Sequence, residues 1–597
     1  MQIMTWFGVN LLPLVILQKQ MQCYSLGLPT SGLKCKQPFW SVVGNHFVPT
    51  DNCDNLFTNL INKELLRQKY VQELSSGEIN PDKTKINKIV DTLILLVPPF
   101  DKSLESDVTC TGCTAGINTY RSLIEDGFTR DRIFSLLFKV CVDFKIMPPE
   151  ICSGVLDSYG QVLVEVIDQA ENKTAGEICT YLLNFDCRGE EVKWNVTFPA
   201  TPKPPLKTPT PNPNPGKPLK VLQITDTHWD TQYAEGTWAE CKEPLCCRKD
   251  NVTPNKNATL AGKYGGWKCD IPEITFDDML RHVKKQHPDL DYILWTGDIP
   301  SHDIWSQDKN DTLEILQKTA RKLLKAFPKT LIIPALGNHE SVPPNMQVPR
   351  PNATTNPMDW LYEQLYKEWK IWLPANVQQT VRNGAFYTYL IKPNFRIISM
   401  NMNFCYSMNW WLVVDSVDPL NHLQWLIDVL QEAEDKNEKV HIIGHIPPGN
   451  SDCLRMWQSN YYKIINRYES TVTAQFFGHT HSEKYELIYD EVEGQRAVAV
   501  SYVAPSVTTY TYLNPAYRIY YIEGQNPSNS SESSRYVTDY ETWYFDLEKA
   551  NQEGKTEWKK LYSAKEDFNM TSLYPEDWRQ FYEKMTKSDE LLELYNK

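Results

Sequence analysis

Six short apolar runs, five of them closed by a residue type that binds metals, limit this chain more than any other feature. Leu219–Ile224, Tyr292–Trp295, Leu331–Ile333, Arg396–Met400, Val440–Ile443 and Ala474–Phe477 read as buried strands. Helical patterns separate several of them, as in Thr312–Ala326 and Leu423–Glu434. Asp226 and His228 follow the first run, Asp298 the second, Asn338 and His339 the third, His445 the fifth, and His479 and His481 the last. A layered α/β sheet with helices on its faces is expected. Ligands of such sheets gather just beyond the carboxyl ends of the strands, so separate loops would bring these donors to one edge.

Imidazole with carboxylate suits zinc, manganese or iron, and the lack of a cysteine donor argues against a structural zinc site. A carboxylate bridging two such metals holds them about 3.5–4 Å apart, the spacing used in phosphoryl chemistry. One histidine after one strand is ordinarily structural. The ordered set D-x-H, G-D, G-N-H-E, G-H and G-H-T-H resembles the calcineurin-like metallophosphoesterases, over roughly Leu219 to Glu486. The resemblance implies one metal on Asp226, His228, Asp298 and His481, and a second on Asp298, Asn338, His445 and His479, with Asp298 as the bridge. Purple acid phosphatases carry an iron-binding tyrosine three residues after the bridging aspartate. Ser301 stands there in this chain, which favours two zinc ions. A hydroxide between the metals would attack phosphorus in line, and Asn338 would help to neutralise the phosphoryl oxygens. His339 is the preferred proton donor to the leaving alkoxide. His302, in SHDIWSQ, is the other candidate, for acid or phosphate contact, set against a role in orienting a ligand.

Upstream the pattern changes. Cys110, Cys113, Cys141, Cys152, Cys179 and Cys187 punctuate apolar residues at helical spacing, among them Ile117, Leu123, Ile133, Leu137, Val140, Leu163 and Ile167. The segment has no histidine to complete a zinc site. This arrangement resembles the saposin family of small disulfide-held helical bundles that expose an apolar face to lipid. The resemblance implies the pairs Cys110–Cys187, Cys113–Cys179 and Cys141–Cys152. Residues 191–218 form a proline-rich linker, with nine prolines between Phe198 and Pro218. Residues 1–24 read as a signal peptide around the apolar run Phe7–Leu17. Residues 25–105 carry no legible chemistry beyond a possible Cys35–Cys53 pair and helical patterns at 64–73 and 85–96.

Fifteen cysteines and eight Asn-X-Ser/Thr acceptors (Asn172, Asn195, Asn251, Asn257, Asn310, Asn352, Asn529 and Asn569) point to a glycosylated chain of the secretory pathway, secreted or lysosomal. A net charge of −13 argues against nucleic acid as a partner. A saposin-type module at 106–190, a proline linker and a metallophosphoesterase at 219–500 together resemble the acid sphingomyelinase family from about Cys110 to Leu547. GDIPSHDIW, GHIPPG, GHTHSEKYE and APSVTTYTYLNPAYRIY carry that likeness. It implies a monomeric enzyme that hydrolyses sphingomyelin to ceramide and phosphocholine and touches the membrane through the saposin module. Tyr510 would line the substrate site, and Cys241–Cys246, Cys247–Cys269 and Cys405–Cys453 would brace loops. The architecture expected is a four-layer sandwich of sheets and helices, followed by a mainly helical region at 501–597. The chain departs from vertebrate members in having no cysteine after Cys453. The rival readings are a relative acting on nucleotides or other small phosphodiesters, and a non-catalytic lipid-binding protein.

Overall fold

The computed structural model describes residues 39–43, 46–50, 106–143, 145–206, 216–349, 356–449, 451–491, 494–525 and 533–596. The signal segment, Cys35 and Cys53, the helical patterns at 64–73 and 85–96, Asn352 and Asn529 lie outside the described residues. So do residues 207–215 of the linker. The chain forms two compact units, one of residues 1–160 and 171–190, the other of residues 161–170 and 191–597.

The first unit contains an antiparallel pair, β1 (Phe39–Val43) and β2 (His46–Thr50), and helices Ser106–Glu125, Arg130–Asp143, Pro149–Val155 and Ala175–Leu183. Cys110–Cys187 and Cys113–Cys179 fasten the first of these helices to the segment around the last, and Cys141–Cys152 joins the middle two. Thr174 starts the last helix with a capping box. Its hydroxyl accepts from the Glu177 N–H, while the Glu177 carboxylate accepts from the Thr174 N–H. The helical spacing runs through helix Gln161–Gln169 as well. By its contacts, however, that helix belongs to the larger unit, where it packs against the turn Trp410–Val413.

The larger unit holds two six-stranded sheets. In chain order the strands are β3 (Gly216–Ile224), β4 (Tyr292–Trp295), β5 (Leu331–Pro334), β6 (Tyr387–Lys392), β7 (Phe395–Ser399), β8 (Lys439–Ile443), β9 (Val472–Phe477), β10 (Lys484–Tyr489), β11 (Ala497–Val503), β12 (Ala516–Gly524), β13 (Val537–Tyr544) and β14 (Lys559–Ser563). One sheet runs β14-β13-β12-β3-β4-β5 and the other β10-β11-β9-β8-β7-β6. All six apolar runs are strands. They pair in parallel as β3-β4-β5 and β7-β8-β9, so their carboxyl ends point one way within each sheet. Parallel strands are covered on both faces, which is why these runs are continuously apolar. The two sheets share a core that includes Leu222, Ile224, Ile293, Ile397, Ile443 and Phe476. Polar bonds also cross between them, as where the Gln223 amide donates to the Phe477 carbonyl (3.0 Å).

Two expectations change here. Residues 501–597 are not a separate, mainly helical region. β12 pairs antiparallel with β3, and β13 and β14 extend the same sheet before the closing helices Pro575–Met585 and Asp589–Tyr595. Aromatic and β-branched residues in AYRIYYIEG suit a strand packed on both sides, the half-buried VTDYETWY pairs beside it, and no apolar alternation reveals either in the sequence. The linker also begins later than its composition implies. Glu191 accepts from Arg455 and from the Met456 N–H (2.9 and 3.1 Å), the Val196 N–H donates to Asn460 (3.1 Å), and Thr197 exchanges bonds with Gln424 (3.3 and 3.1 Å). Residues 191–203 thus form a strap on helices His422–Asp435 and Arg455–Arg467, and Lys203 ends it by pairing with Glu469.

Candidate metal centre

The ligand-type residues sit where strands give way to loops, and the backbone there is unusual. Asp226, His228, Asp298, His479 and His481 all have positive φ, between 38° and 72°. Non-glycine residues hold that conformation only where the surroundings over-determine it, and such positions cluster at functional sites. Here each sharp turn swings a side chain from the strand end into a common centre.

The imidazoles are fixed from behind. His228 Nδ1 donates to the Pro300 carbonyl, His445 Nδ1 to the Thr296 carbonyl and His481 Nδ1 to the Tyr510 carbonyl, each at 2.7 Å. A carbonyl only accepts, so all three Nδ1 atoms carry hydrogen and every Nε2 faces inward. His228 Nε2 and His481 Nε2 then stand 3.2 Å apart. Burial holds His228 well below the usual imidazole range, so its Nε2 presents a lone pair. His228 Nε2 also faces Asp298 Oδ2 (3.5 Å), and His481 Nε2 faces Asp226 Oδ1 (3.5 Å).

Asp298 lies at the middle of the cluster. Its Oδ1 accepts the main-chain N–H groups of Asn338 and His339 (2.8 and 2.9 Å), which leaves Oδ2 between His228 and His445, the latter at 3.0 Å. Burial by itself would raise this carboxyl, but His445 and His339 outweigh it and hold Asp298 well below the ordinary range. Burial would likewise push His445 down, yet Asp298 and Asp226 lift it to about 10. A positive charge is therefore strongly favoured among these groups, and a divalent cation answers the same field. Asp226 accepts from the Thr225 hydroxyl (2.7 Å) and from the His479 N–H (3.0 Å). Asn338 donates its amide N–H to Asn345 (2.8 Å), and its buried Oδ1 has no hydrogen-bond partner. Asp298, His445 and His479 offer donor atoms within 4.8 Å of one another, as do His228, Asp298 and His339, and His228, His302 and His481. Orphaned buried acceptors, carboxylates and lone-pair nitrogens together are the donor set of a divalent metal site.

His302 and His339 flank this centre, with ring centroids 3.9 and 4.8 Å from that of His228 and 4.7 Å from each other. Burial pushes both well below the usual imidazole range. Tyr510 stacks on His302 (4.4 Å, 27°), while its hydroxyl donates away to the Pro244 carbonyl (3.0 Å). Sequence reasoning missed several partners. Asp452 lies 3.2 Å from His479 Nε2, and Asp270 and Thr508 sit behind His302. Glu340, whose Oε1 accepts from the Ile299 N–H (2.9 Å), is lifted to about 8 by burial and by Asp298. Glu340 was visible inside G-N-H-E. The others stand in loops with no strand-end placement to mark them.

The loop bridges Cys241–Cys246, Cys247–Cys269 and Cys405–Cys453 are formed. Among the glycosylation acceptors, Asn172, Asn195, Asn257, Asn310 and Asn569 are exposed. Asn251 is a correction. It is buried, donates its amide to Glu243 (2.8 Å) and accepts from the Arg248 N–H (2.9 Å), so no glycan fits on it in the folded chain.

A parallel-stranded α/β unit with this site is a calcineurin-like phosphoesterase, and the family model of that description matches residues 219–483. The chain is 42% identical to sphingomyelin phosphodiesterase of Bos taurus, over 77% of this chain and 73% of that one. It is 41% identical to sphingomyelin phosphodiesterase of Homo sapiens, over 78% and 73%, and 34% identical to sphingomyelin phosphodiesterase 2 of Caenorhabditis elegans, over 82% of each. Acid sphingomyelinase-like phosphodiesterase 3b of Homo sapiens is more distant, at 27% identity over 64% of this chain. The chain belongs to the sphingomyelin phosphodiesterase family.

Proposed function

We propose that this protein hydrolyses sphingomyelin to ceramide and phosphocholine, using a pair of zinc ions. The observation that carries the reaction class is the inward-facing set of imidazole nitrogens around the Asp298 carboxylate, each fixed by a carbonyl on its far side. The substrate follows from the relatives, whose identity falls from 42% to 27% on passing to the sphingomyelinase-like protein. Asp226, His228, Asp298 and His481 would hold one ion, and Asp298, Asn338, His445 and His479 the other. When bound, such ions would supply Lewis acidity to a phosphodiester and lower the pKa of water.

The chain's own residues do the rest. Asn338 turns its unpartnered Oδ1 to the centre, and its main-chain N–H, with that of His339, holds Asp298 in place. His339 is the preferred donor of the proton that the ceramide alkoxide needs. Its buried Nδ1 has no hydrogen-bond partner, and the negative charge of a bound phosphodiester would offset the burial that otherwise keeps this ring neutral. His302 contacts the phosphoryl group from the adjacent wall, with Tyr510 packed on its outer face. The disulfide-held helical unit acts as a saposin-type lipid module, and this body of disulfides suits a secreted or lysosomal location.

The test is release of phosphocholine from sphingomyelin liposomes near pH 5 by the full chain, beside a soluble nucleotide phosphodiester. Turnover of the liposomes that is lost on chelation and restored by zinc supports the reading. Turnover of the nucleotide alone would leave the metal chemistry standing and overturn the lipid assignment.

A further inference from the structure

Asp270 follows Cys269, whose bridge to Cys247 anchors this loop, and the Thr509 hydroxyl donates to the Cys269 carbonyl (2.6 Å). Its carboxyl group is wholly buried. Three donors converge on it. The His302 main-chain N–H reaches Oδ2 (2.6 Å), His302 Nδ1 lies 2.8 Å from Oδ1, and the Thr508 hydroxyl donates to Oδ1 (2.9 Å). Asp270 thus grips both the backbone and the ring of His302, and ties them to the segment that carries Tyr510. With Nδ1 on the carboxyl, the opposite ring edge and Nε2 face the centre, where His302 belongs to a donor cluster with His228 and His481. The Tyr510 ring closes one face of the imidazole.

The ligand histidines are held differently. His228, His445 and His481 each rest Nδ1 on a main-chain carbonyl, whereas His302 rests it on a side-chain carboxyl. Burial lifts the Asp270 carboxyl to about 7, and one hydrogen lies between its Oδ1 and His302 Nδ1. In either arrangement of the shared proton, the contact keeps the same ring edge toward the centre.

We propose that Asp270 is a positioning residue for His302. It sets the ring's orientation toward the reacting phosphodiester and has no contact of its own with substrate. This rests on the reading that His302 touches the phosphoryl group. It assigns a function to a buried carboxyl that the metal ligands do not need, and it gives the Cys247–Cys269 bridge a reason to sit where it does.

The experiment is a double-mutant cycle on the full-length, metal-loaded protein with Asp270→Ala, His302→Ala and the double variant, plus Asp270→Asn. Sphingomyelin turnover, zinc content and melting temperature are read for each. Asp270→Ala is expected to lower kcat about 10–100-fold, the usual cost of losing such an orienting partner, with KM changed less than about twofold. Zinc content should match the parent. Asp270→Asn, which keeps one acceptor oxygen, should recover most of the loss. On the His302→Ala background, Asp270→Ala should cost nothing more, because residues acting as a unit are not additive. Full additivity, or loss of zinc in step with activity in both Asp270 variants, overturns the positioning role while His302 keeps its place. A fully active His302→Ala instead overturns the reading beneath it.

Discussion

The smaller helical unit and the larger two-sheet unit use the same covalent device for different ends. In the smaller unit, bridges join one helix to another or to the segment beside it, and Cys113–Cys179 spans 66 residues. In the larger unit, a core of strand residues holds the fold, and the bridges lie in loops. Cys241–Cys246 spans 5 residues, Cys247–Cys269 anchors Asp270, and Cys405–Cys453 joins the loop that carries Asp452. The titratable groups divide the same way. Of eleven histidines only His46 precedes residue 228. A small unit spends its cysteines on existing, and a large one places them where loops must be stiff.

The sharpest break between the units comes from Asp298→Ala. Removing the bridge should lower turnover by at least about 10³-fold and strip bound metal, both read on the purified protein, since the Lewis-acid contribution is lost whole. The helical unit's circular dichroism should be unaffected.

The bridges come next. Replacing Cys110, Cys113, Cys179 and Cys187 together by alanine, which opens both nested bridges, should destabilise the smaller unit by more than about 4 kcal/mol, against about 2 kcal/mol for the short Cys241–Cys246 loop, by the loop-entropy relation. Denaturant melts of the two variants check the ordering. Equal costs would mean that the bridges of both units do the same work.

Acid should separate the units as well. His422 is fully buried among Phe386, Phe404 and Trp425, neither ring nitrogen has a hydrogen-bond partner, and burial lowers its pKa to about 3. Its folded pKa lies below the unfolded value of about 6.5. The stability it permits is therefore complete above about pH 6.5 and is lost progressively as pH falls toward 3. Between pH 6.5 and 5 the parent should lose about 2 kcal/mol more than His422→Phe, as read by denaturant melts at both values. The helical unit, with no histidine between residues 106 and 190, should show no such term. Equal acid sensitivity in the parent and His422→Phe would break the contrast.

The smallest expected effect is on glycan mass. Asn257→Gln should remove one glycan from protein expressed through a secretory pathway, while Asn251→Gln should leave the glycan mass unchanged, because that amide is occupied by Glu243.

Much of this was legible from residue order. Strands read as continuous apolar runs because parallel strands are buried on both faces, and the donors followed them because that sheet edge is where loops converge. β12 and β13 were not legible. Their tyrosines and charges make no simple alternation, and one of those charges, Arg518, is buried against Glu483, Thr542 and the Tyr540 ring. The strap at 191–203 was hidden by its prolines, since composition reports chain stiffness and says nothing of docking partners such as Asn460 and Gln424.

By itself the sequence determined the α/β class, the six buried strands and the helical spacing of the cysteine-rich segment, because local periodicity carries that information, and it set metal-type residues just beyond the strands. Only the tertiary structure decided which side chains stand behind the donors. Pro300, Thr296 and Tyr510 lend carbonyls, Asp270 grips His302, and Thr508 holds Asp270 from 238 residues away in the chain. A hydrogen bond between distant loops leaves no periodic mark, so it exists only once the strands have brought those loops together.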